Sequence, residues 1–360
     1  NSICNTTPSL IILLLIGALA GTWLISGIVP AMIYFGLQIL NPKIFLFATA
    51  IIAAVVSLAT GSSWSTIATI GIALLGIGKA LGLPVGLIGG AIISGAYFGD
   101  KMSPLSDTTN LAPAMAGTDL VTHIKYMMYT TIPSFCIALI LFLIIGFNFE
   151  TSEAQDINGL ILSIENIFNI SGWLFLVPVL VITLIIKKVP AIPALLAGTL
   201  FGGIFGIIFQ PEIVMKITNS ETLNFNSGYM AIINAMAGDI AINTDNEMIN
   251  NLLKTKGMAG MLNTIWLIIC AMIFGGAMEA TGLLKRVAEP IIQYTKSTGS
   301  LIATTAGTCL FFNITASDQY LSIVVPGRMF ADTYKEKGLA SENLSRTLED
   351  SGTVTSVLVP

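Results

Sequence analysis

Charge is what this sequence has least of. Of its 360 residues only 10% are Asp, Glu, Lys or Arg, against 54% hydrophobic, and histidine occurs once. A soluble domain of that length needs far more charge at its surface, so the composition excludes that class. Mean hydropathy is +0.85. The net charge of −4 and the scattering of the 16 basic residues exclude a nucleic-acid partner recruited by a basic face. The four cysteines, Cys4, Cys136, Cys270 and Cys309, lack the paired spacing of a zinc site and read as free thiols facing core or lipid. A P-loop and a dinucleotide fingerprint are missing, so no cofactor is expected and ATP-driven work would need another subunit. The lone His123, next to Lys125, reads as an interfacial residue. Neither a basic leader nor an initiator Met opens the chain, and it stops inside an apolar run, Val354 to Val359, so both ends read as cut.

Long apolar segments are what the chain has in abundance. They begin at Leu10–Val29 and continue with Ile44–Ala59, Trp64–Ile77, Val85–Phe98 and Ile124–Phe147. Further on come Gly172–Ile186, Ala191–Phe209, Met261–Leu283 and Leu301–Phe312, and a last one starts near Thr353. A β-barrel would instead alternate in short stretches. The expected fold is an all-α polytopic membrane protein of about ten transmembrane or re-entrant helices. Several runs fall short of a full crossing beside polar interruptions, which points to broken helices. Phe149–Ile167 and Pro211–Gly260 read as polar loops outside, and Lys187-Lys188 and Lys285-Arg286 as short cytoplasmic loops. Residues 1–147 read as a first half, 148–260 as a connecting segment with two spans, and 261–360 as a second half.

The polar interruptions hold the candidate chemistry. Gly99-Asp100-Lys101-Met102-Ser103-Pro104-Leu105-Ser106-Asp107-Thr108-Thr109-Asn110 places carboxylates, hydroxyls and an amide between apolar segments. Lipid satisfies none of these groups, so they line an enclosed cavity or lie at the surface. Pro104 argues against an unbroken helix carrying both Asp100 and Asp107. Asn313-Ile-Thr315-Ala-Ser317-Asp318-Gln319 echoes this run in the second half, as does Glu349-Asp350-Ser351-Gly352-Thr353. Thr60-Gly61-Ser62-Ser63 and Thr315–Gln319 each open an apolar stretch ending in Lys-x-x-Gly-Leu, and Asp100 pairs with Asp350 in the same comparison. Such an internal repeat is expected to have inverted topology, with a site where broken helices meet. Carboxylate and hydroxyl oxygens suit a hard cation, and a carboxylate can take a proton instead. The bland reading is that Asp107 caps the next helix, Asp100 and Lys101 pair at the surface, and the Ser and Thr side chains bond back to their own helices.

These runs, with Gly21-Thr22-Trp23 and Leu348-Glu349-Asp350-Ser351-Gly352-Thr353, resemble the NhaC-type sodium/proton antiporters of the ion transporter superfamily over essentially the whole chain. The resemblance implies a secondary exchanger of the prokaryotic cytoplasmic membrane, moving Na⁺ (and Li⁺) out against H⁺ by alternating access. It also leaves open an organic-acid exchanger of malate/lactate type, coupled to Na⁺ and H⁺. A third alternative, an intramembrane aspartyl protease using Asp100 and Asp318, fits the hydroxyl-rich run poorly. On the antiporter reading Asp107 and Asp318 change charge and hold Na⁺ transiently, while Asp100 and Asp350 support or gate. Thr60, Ser62, Ser63, Ser103, Thr108, Asn110, Asn313, Thr315 and Ser317 supply neutral oxygens. The expected partners are Na⁺, H⁺ and the lipid bilayer, with a homodimer left open and no nucleic acid.

Overall fold

The computed structural model describes residues 2–39, 41–148, 157–187, 189–242, 253–283, 297–316 and 319–359, with Asn250 and Arg286 between them. These residues are almost entirely helical; a two-residue antiparallel pairing of Ile240–Ala241 with Lys254–Thr255 is the sheet among them. Four helices are long and apolar enough to cross a bilayer: Pro42–Thr60 (α3), Ser63–Ala80 (α4), Leu120–Asn148 (α7) and Ala191–Phe209 (α10). Two bent pairs also qualify: Leu10–Ile25 with Ile28–Ile39 at 72°, and Ile161–Ile167 with Gly172–Ile186 at 90°. The first pair belongs to helices α1 (Ser2–Ile25) and α2 (Ile28–Ile39), the second to α8 (Ile157–Ile167) and α9 (Leu176–Ile186) with a 3₁₀ turn at Gly172–Phe175 between them. The protein is an all-α multi-pass membrane protein.

Local chemistry explains the breaks. Gly27 has φ +80°, which ends α1 and turns the chain into α2, so the expected Leu10–Val29 run is one arm of an angle and not a straight span. The buried Gln210 side chain accepts from the Asn169 amide and donates to the Asn169 carbonyl, both at 3.0 Å, tying the segment between α8 and α9 to the end of α10. Two expected loops are partly helical. Ile157–Ile167 is α8, and Pro211–Gly260 contains α11 (Pro211–Thr218) and α12 (Phe225–Ala237). Apolar residues spaced for one helix face sit among the polar ones there, and tertiary packing uses them. Pro211 at the first position of α11 and the Asn224–Ser227 capping box ahead of α12 are the start signals.

The chain forms two compact units interleaved along its length: residues 8–96 with 137–263, and residues 1–7, 97–136 and 264–360. In the former, Trp23 is fully buried and donates through Nε1 to the Gly198 carbonyl at 3.1 Å. Backbones approach closely at glycine: a Cβ on Gly21 would run into the Ala235 carbonyl, and one on Gly95 into the Ala50 carbonyl. The latter unit is built around α6 (Asp107–Ala116), α14 (Thr298–Ala316), α15 (Gln319–Glu336) and α16 (Ser341–Leu348), preceded in the chain by α13 (Leu262–Ala280). Its core joins Ala112, Leu301, Cys309, Ile323, Phe330, Tyr334, Leu344 and Leu348. From Leu348 the chain continues without a break through a π-turn, Glu349–Thr353, and a 3₁₀ turn, Ser356–Leu358. The run expected to begin a span near Thr353 is thus the second half of a helix that starts at Ser341.

Two segments repeat each other element for element. Adding 256 to a residue number carries α3 onto α14, α4 onto α15, and Val85–Met102 (α5) onto Ser341–Leu358, with every edge matching. The turns match as well. Gly82 (φ +77°) and Gly338 (φ +67°) close identical caps, in which Leu83 N–H donates to Gly78 at 3.0 Å and Leu339 N–H to Tyr334 at 2.9 Å. Ser57 donates to the Ala96 carbonyl in the first copy, and Asn313 to the Gly352 carbonyl in the second. This register corrects the pairing of Asp100 with Asp350 drawn from composition: Asp100 matches Ser356, and Asp350 matches Ser94.

Gly95→Ala is expected to destabilise the protein by about 1–3 kcal/mol through overpacking. Gly90→Ala, which meets nothing within 4 Å, should be neutral or stabilising. Melting of the two variants in detergent against the parent separates these outcomes.

Candidate functional site

The break after α5 is held by hydroxyls. Helix α5 ends at Met102, and its last carbonyls lack helical partners. Thr109 Oγ1 lies 3.2 Å from both the Asp100 and Lys101 carbonyls and caps them. Ser106 is the N-cap of α6, accepting from the Thr109 amide at 3.4 Å, so the cap expected of Asp107 belongs to its neighbour. Asp107 stands exposed in the first turn, where the helix dipole favours its charge. Asn110 Nδ2 donates to the Pro104 and Ser106 carbonyls at 2.9 and 2.6 Å, which closes the loop. Ser103 Oγ accepts from the Leu105 amide at 3.2 Å. Asp100, Lys101, Ser103 and Thr108 are all buried.

Lys101 does not pair with Asp100 at a surface, as the bland reading expected. Its ammonium, almost wholly buried, contacts Asp350 Oδ1 at 2.5 Å across 249 positions of sequence. The other oxygen, Oδ2, accepts from Thr130 Oγ1 at 2.9 Å. Thr130 is the last rung of a polar face on α7. Tyr126 donates to Asn343 Oδ1 at 2.7 Å under the Arg346 guanidinium, and His123 Nδ1 lies 2.8 Å from Ser345 Oγ. His123 is fully buried, not interfacial, because its 123/126/130 spacing turns it toward α16. Ahead of α7, hydrogen bonds from Thr122 to Asp119 hold that exposed carboxyl below the usual carboxylate range.

Within this unit the structure buries Asp100, Ser103, Thr108 and Asn313, leaves Asp350 half-buried against Lys101, and leaves Asp107 and Asn110 exposed. Thr315 Oγ1 bonds back to the Phe311 carbonyl at 2.7 Å. Ser317 and Asp318 lie outside the described residues. Thr60, Ser62 and Ser63 belong to the other unit. There Ser62 caps α4 by accepting from Ser65 N–H at 3.2 Å, and Thr60 Oγ1 lies 3.3 Å from Thr66 Oγ1. Gly61, at φ +68°, ends α3.

Sequence reading passed over Glu349 and Thr353, both fully buried. The signal was present. Ser345, Glu349 and Thr353 recur every four residues beside Leu344 and Leu348, a helical stripe hidden by reading residues 349–356 as a polar interruption. Among the described residues no three His, Cys, Asp or Glu side chains are arranged to hold a metal ion.

A profile of the Na⁺/H⁺ antiporter family matches residues 95–360. The Na⁺/H⁺ antiporter NhaC of Alkalihalophilus pseudofirmus is 38% identical over 97% of this chain and 72% of its own length. The malate-2H⁺/Na⁺-lactate antiporter of Bacillus subtilis is 38% identical over 100% of the chain and 74% of its own. The arginine/ornithine antiporter ArcD of Halobacterium salinarum is 35% identical over 100% of the chain and 72% of its own.

Replacing Asp350 by Asn should destabilise the protein by about 3 kcal/mol, since it leaves the buried Lys101 ammonium alone, and Lys101→Met should cost less, since Asp350 is partly exposed and keeps Thr130. The double variant should lose less than the two singles together. Detergent melting of the three variants measures this; additive losses would mean the two side chains do not depend on each other.

Proposed function

The chain belongs to the Na⁺/H⁺ antiporter family, and on that premise we propose that it is a secondary antiporter of the prokaryotic cytoplasmic membrane that exchanges Na⁺ for H⁺. One observation carries the reading to this chain's own residues: Asp100, Lys101 and Thr108 are buried beside a broken helix, with Lys101 paired to the partly buried Asp350. Buried ionisable groups in a membrane protein are costly and mark ion paths. The two repeats, offset by 256 positions, are taken as inverted, which would open one site to either side in turn. Asp107 and Asp318 are the carboxylates proposed to change charge, with Asp100 and the Lys101–Asp350 pair as support.

The malate/lactate relative favours a second reading, in which an organic acid travels with the coupling ions. A carboxylate substrate wants a free buried cation. Lys101 is buried, but Asp350 already neutralises it, and Arg328 is exposed. That disposition favours plain cation exchange.

Proteoliposomes with a trapped pH dye and an acid interior test the choice. Added NaCl should alkalinise the interior, and Asp107→Asn and Asp318→Asn should each remove most of that response. Silence with Na⁺ alone, followed by a response once malate or lactate joins it, would establish the organic-acid reading instead.

A further inference from the structure

We infer that Glu349, Thr353 and Asn313 form a binding site for the transported monovalent cation, with Glu349 supplying the charge that holds it. The inference deepens the exchange reading above and rests on it for the identity of the cation. All three side chains are buried, and Glu349 and Thr353 have no exposed surface. Both carboxyl oxygens of Glu349, Thr353 Oγ1 and Asn313 Oδ1 lack a hydrogen-bond partner. Four oxygens from three neighbouring side chains are therefore left over in a place where such atoms are rarely left alone.

Their arrangement follows from the backbone. Thr353 closes the π-turn that Glu349 opens, and π-turns displace carbonyls from the regular ladder. Asn313 Nδ2 donates to the Gly352 carbonyl and to Thr355 Oγ1, each at 2.7 Å, which fixes the amide beside the π-turn and leaves its Oδ1 without a donor. The hydroxyls of Thr108 and Thr353 lie beside the Glu349 carboxyl without reaching hydrogen-bond geometry, and Lys101 and Asp100 act on it electrostatically. Lys101 is the ammonium that acts on Glu349, and Asp350 already engages it, while the Asp100 carboxyl adds negative charge nearby. Oxygen ligands and an excess of negative charge suit a hard cation, and neutral oxygens with one carboxylate suit a singly charged one.

The repeat supplies an internal control. In the first copy Ile93, Tyr97 and Ser57 occupy the places of Glu349, Thr353 and Asn313. The packing tie is still made there, by Ser57 to Ala96, with no carboxylate at the Glu349 position. The surplus oxygens of the second copy are not needed to hold the helices together.

The test uses the full-length parent antiporter, purified in detergent and melted across a NaCl series, with choline chloride holding ionic strength constant. Na⁺ should raise the melting temperature of the parent, as any ligand of the folded state does. Glu349→Gln should abolish that rise or increase the half-maximal Na⁺ concentration about tenfold or more, and Glu349→Asp should weaken it less. Asn313→Ser, which restores the tie of the first copy but removes the spare oxygen, should weaken the response while leaving the Na⁺-free melting temperature close to the parent's. Parental Na⁺ responses in both Glu349→Gln and Asn313→Ser, or no response in the parent, would overturn the assignment. Exchange in liposomes is read separately. If the parent exchanges Na⁺ for H⁺ while Glu349→Gln keeps its Na⁺ response, the site is wrong and the exchange reading stands. If Na⁺ binding depends on Glu349 but the parent moves no protons, the site stands and the exchange reading falls.

Discussion

A backbone carbonyl freed from its helix inside an apolar protein must find a donor in the protein itself, because lipid offers none and water is scarce. The breaks in this chain are organised by that requirement. Thr109 reaches back to the Asp100 and Lys101 carbonyls where α5 stops, and Asn110 holds the Pro104 and Ser106 carbonyls across the gap. Gln210 meets both backbone groups of Asn169. Much of the hydroxyl and amide content that reads as ion chemistry in the dodecamer is consumed in this way, and what remains unconsumed stands out by contrast.

Apolar length and Gly-Pro punctuation carried most of the fold. Ala191–Phe209 coincides with its sequence reading to the residue, and α3, α4 and α7 run one to four residues beyond theirs at each end. The angle at Gly27 was hidden because hydropathy does not register a positive φ. Helices α8, α11 and α12 were hidden because their amphipathic patterns are shorter than a span and sit in polar surroundings. At the site, the dodecamer identified the buried Asp100, Ser103 and Thr108. Lys101 was misplaced because its partner lies 249 residues away, a distance over which local pattern says nothing. Glu349 was passed over because Asp350, its neighbour, drew the comparison with Asp100 under a register that the helix edges do not support.

The repeat shows what an internal duplication preserves. Element lengths, the two positive-φ glycine caps and the tie from α3 or α14 to the following helix persist, while few residues are identical. Charge was not preserved: Glu349 stands where the first copy has Ile93. The ionisable groups of the site are additions made separately on each side: Asp100 and Lys101 match Ser356 and Val357, and Glu349 and Asp350 match Ile93 and Ser94.

Ser57 and Asn313 show how such an addition can be made without loosening the structure. A serine that donates its hydroxyl proton to a carbonyl has committed its only donor, on the same oxygen that would have to bind anything else. An asparagine making the same tie commits its nitrogen, and its oxygen remains uncommitted on a separate atom. Exchanging hydroxyl for amide at a tether therefore converts a fastening into a fastening with a free acceptor. A duplicated scaffold can acquire recognition chemistry at a position that can never be vacated.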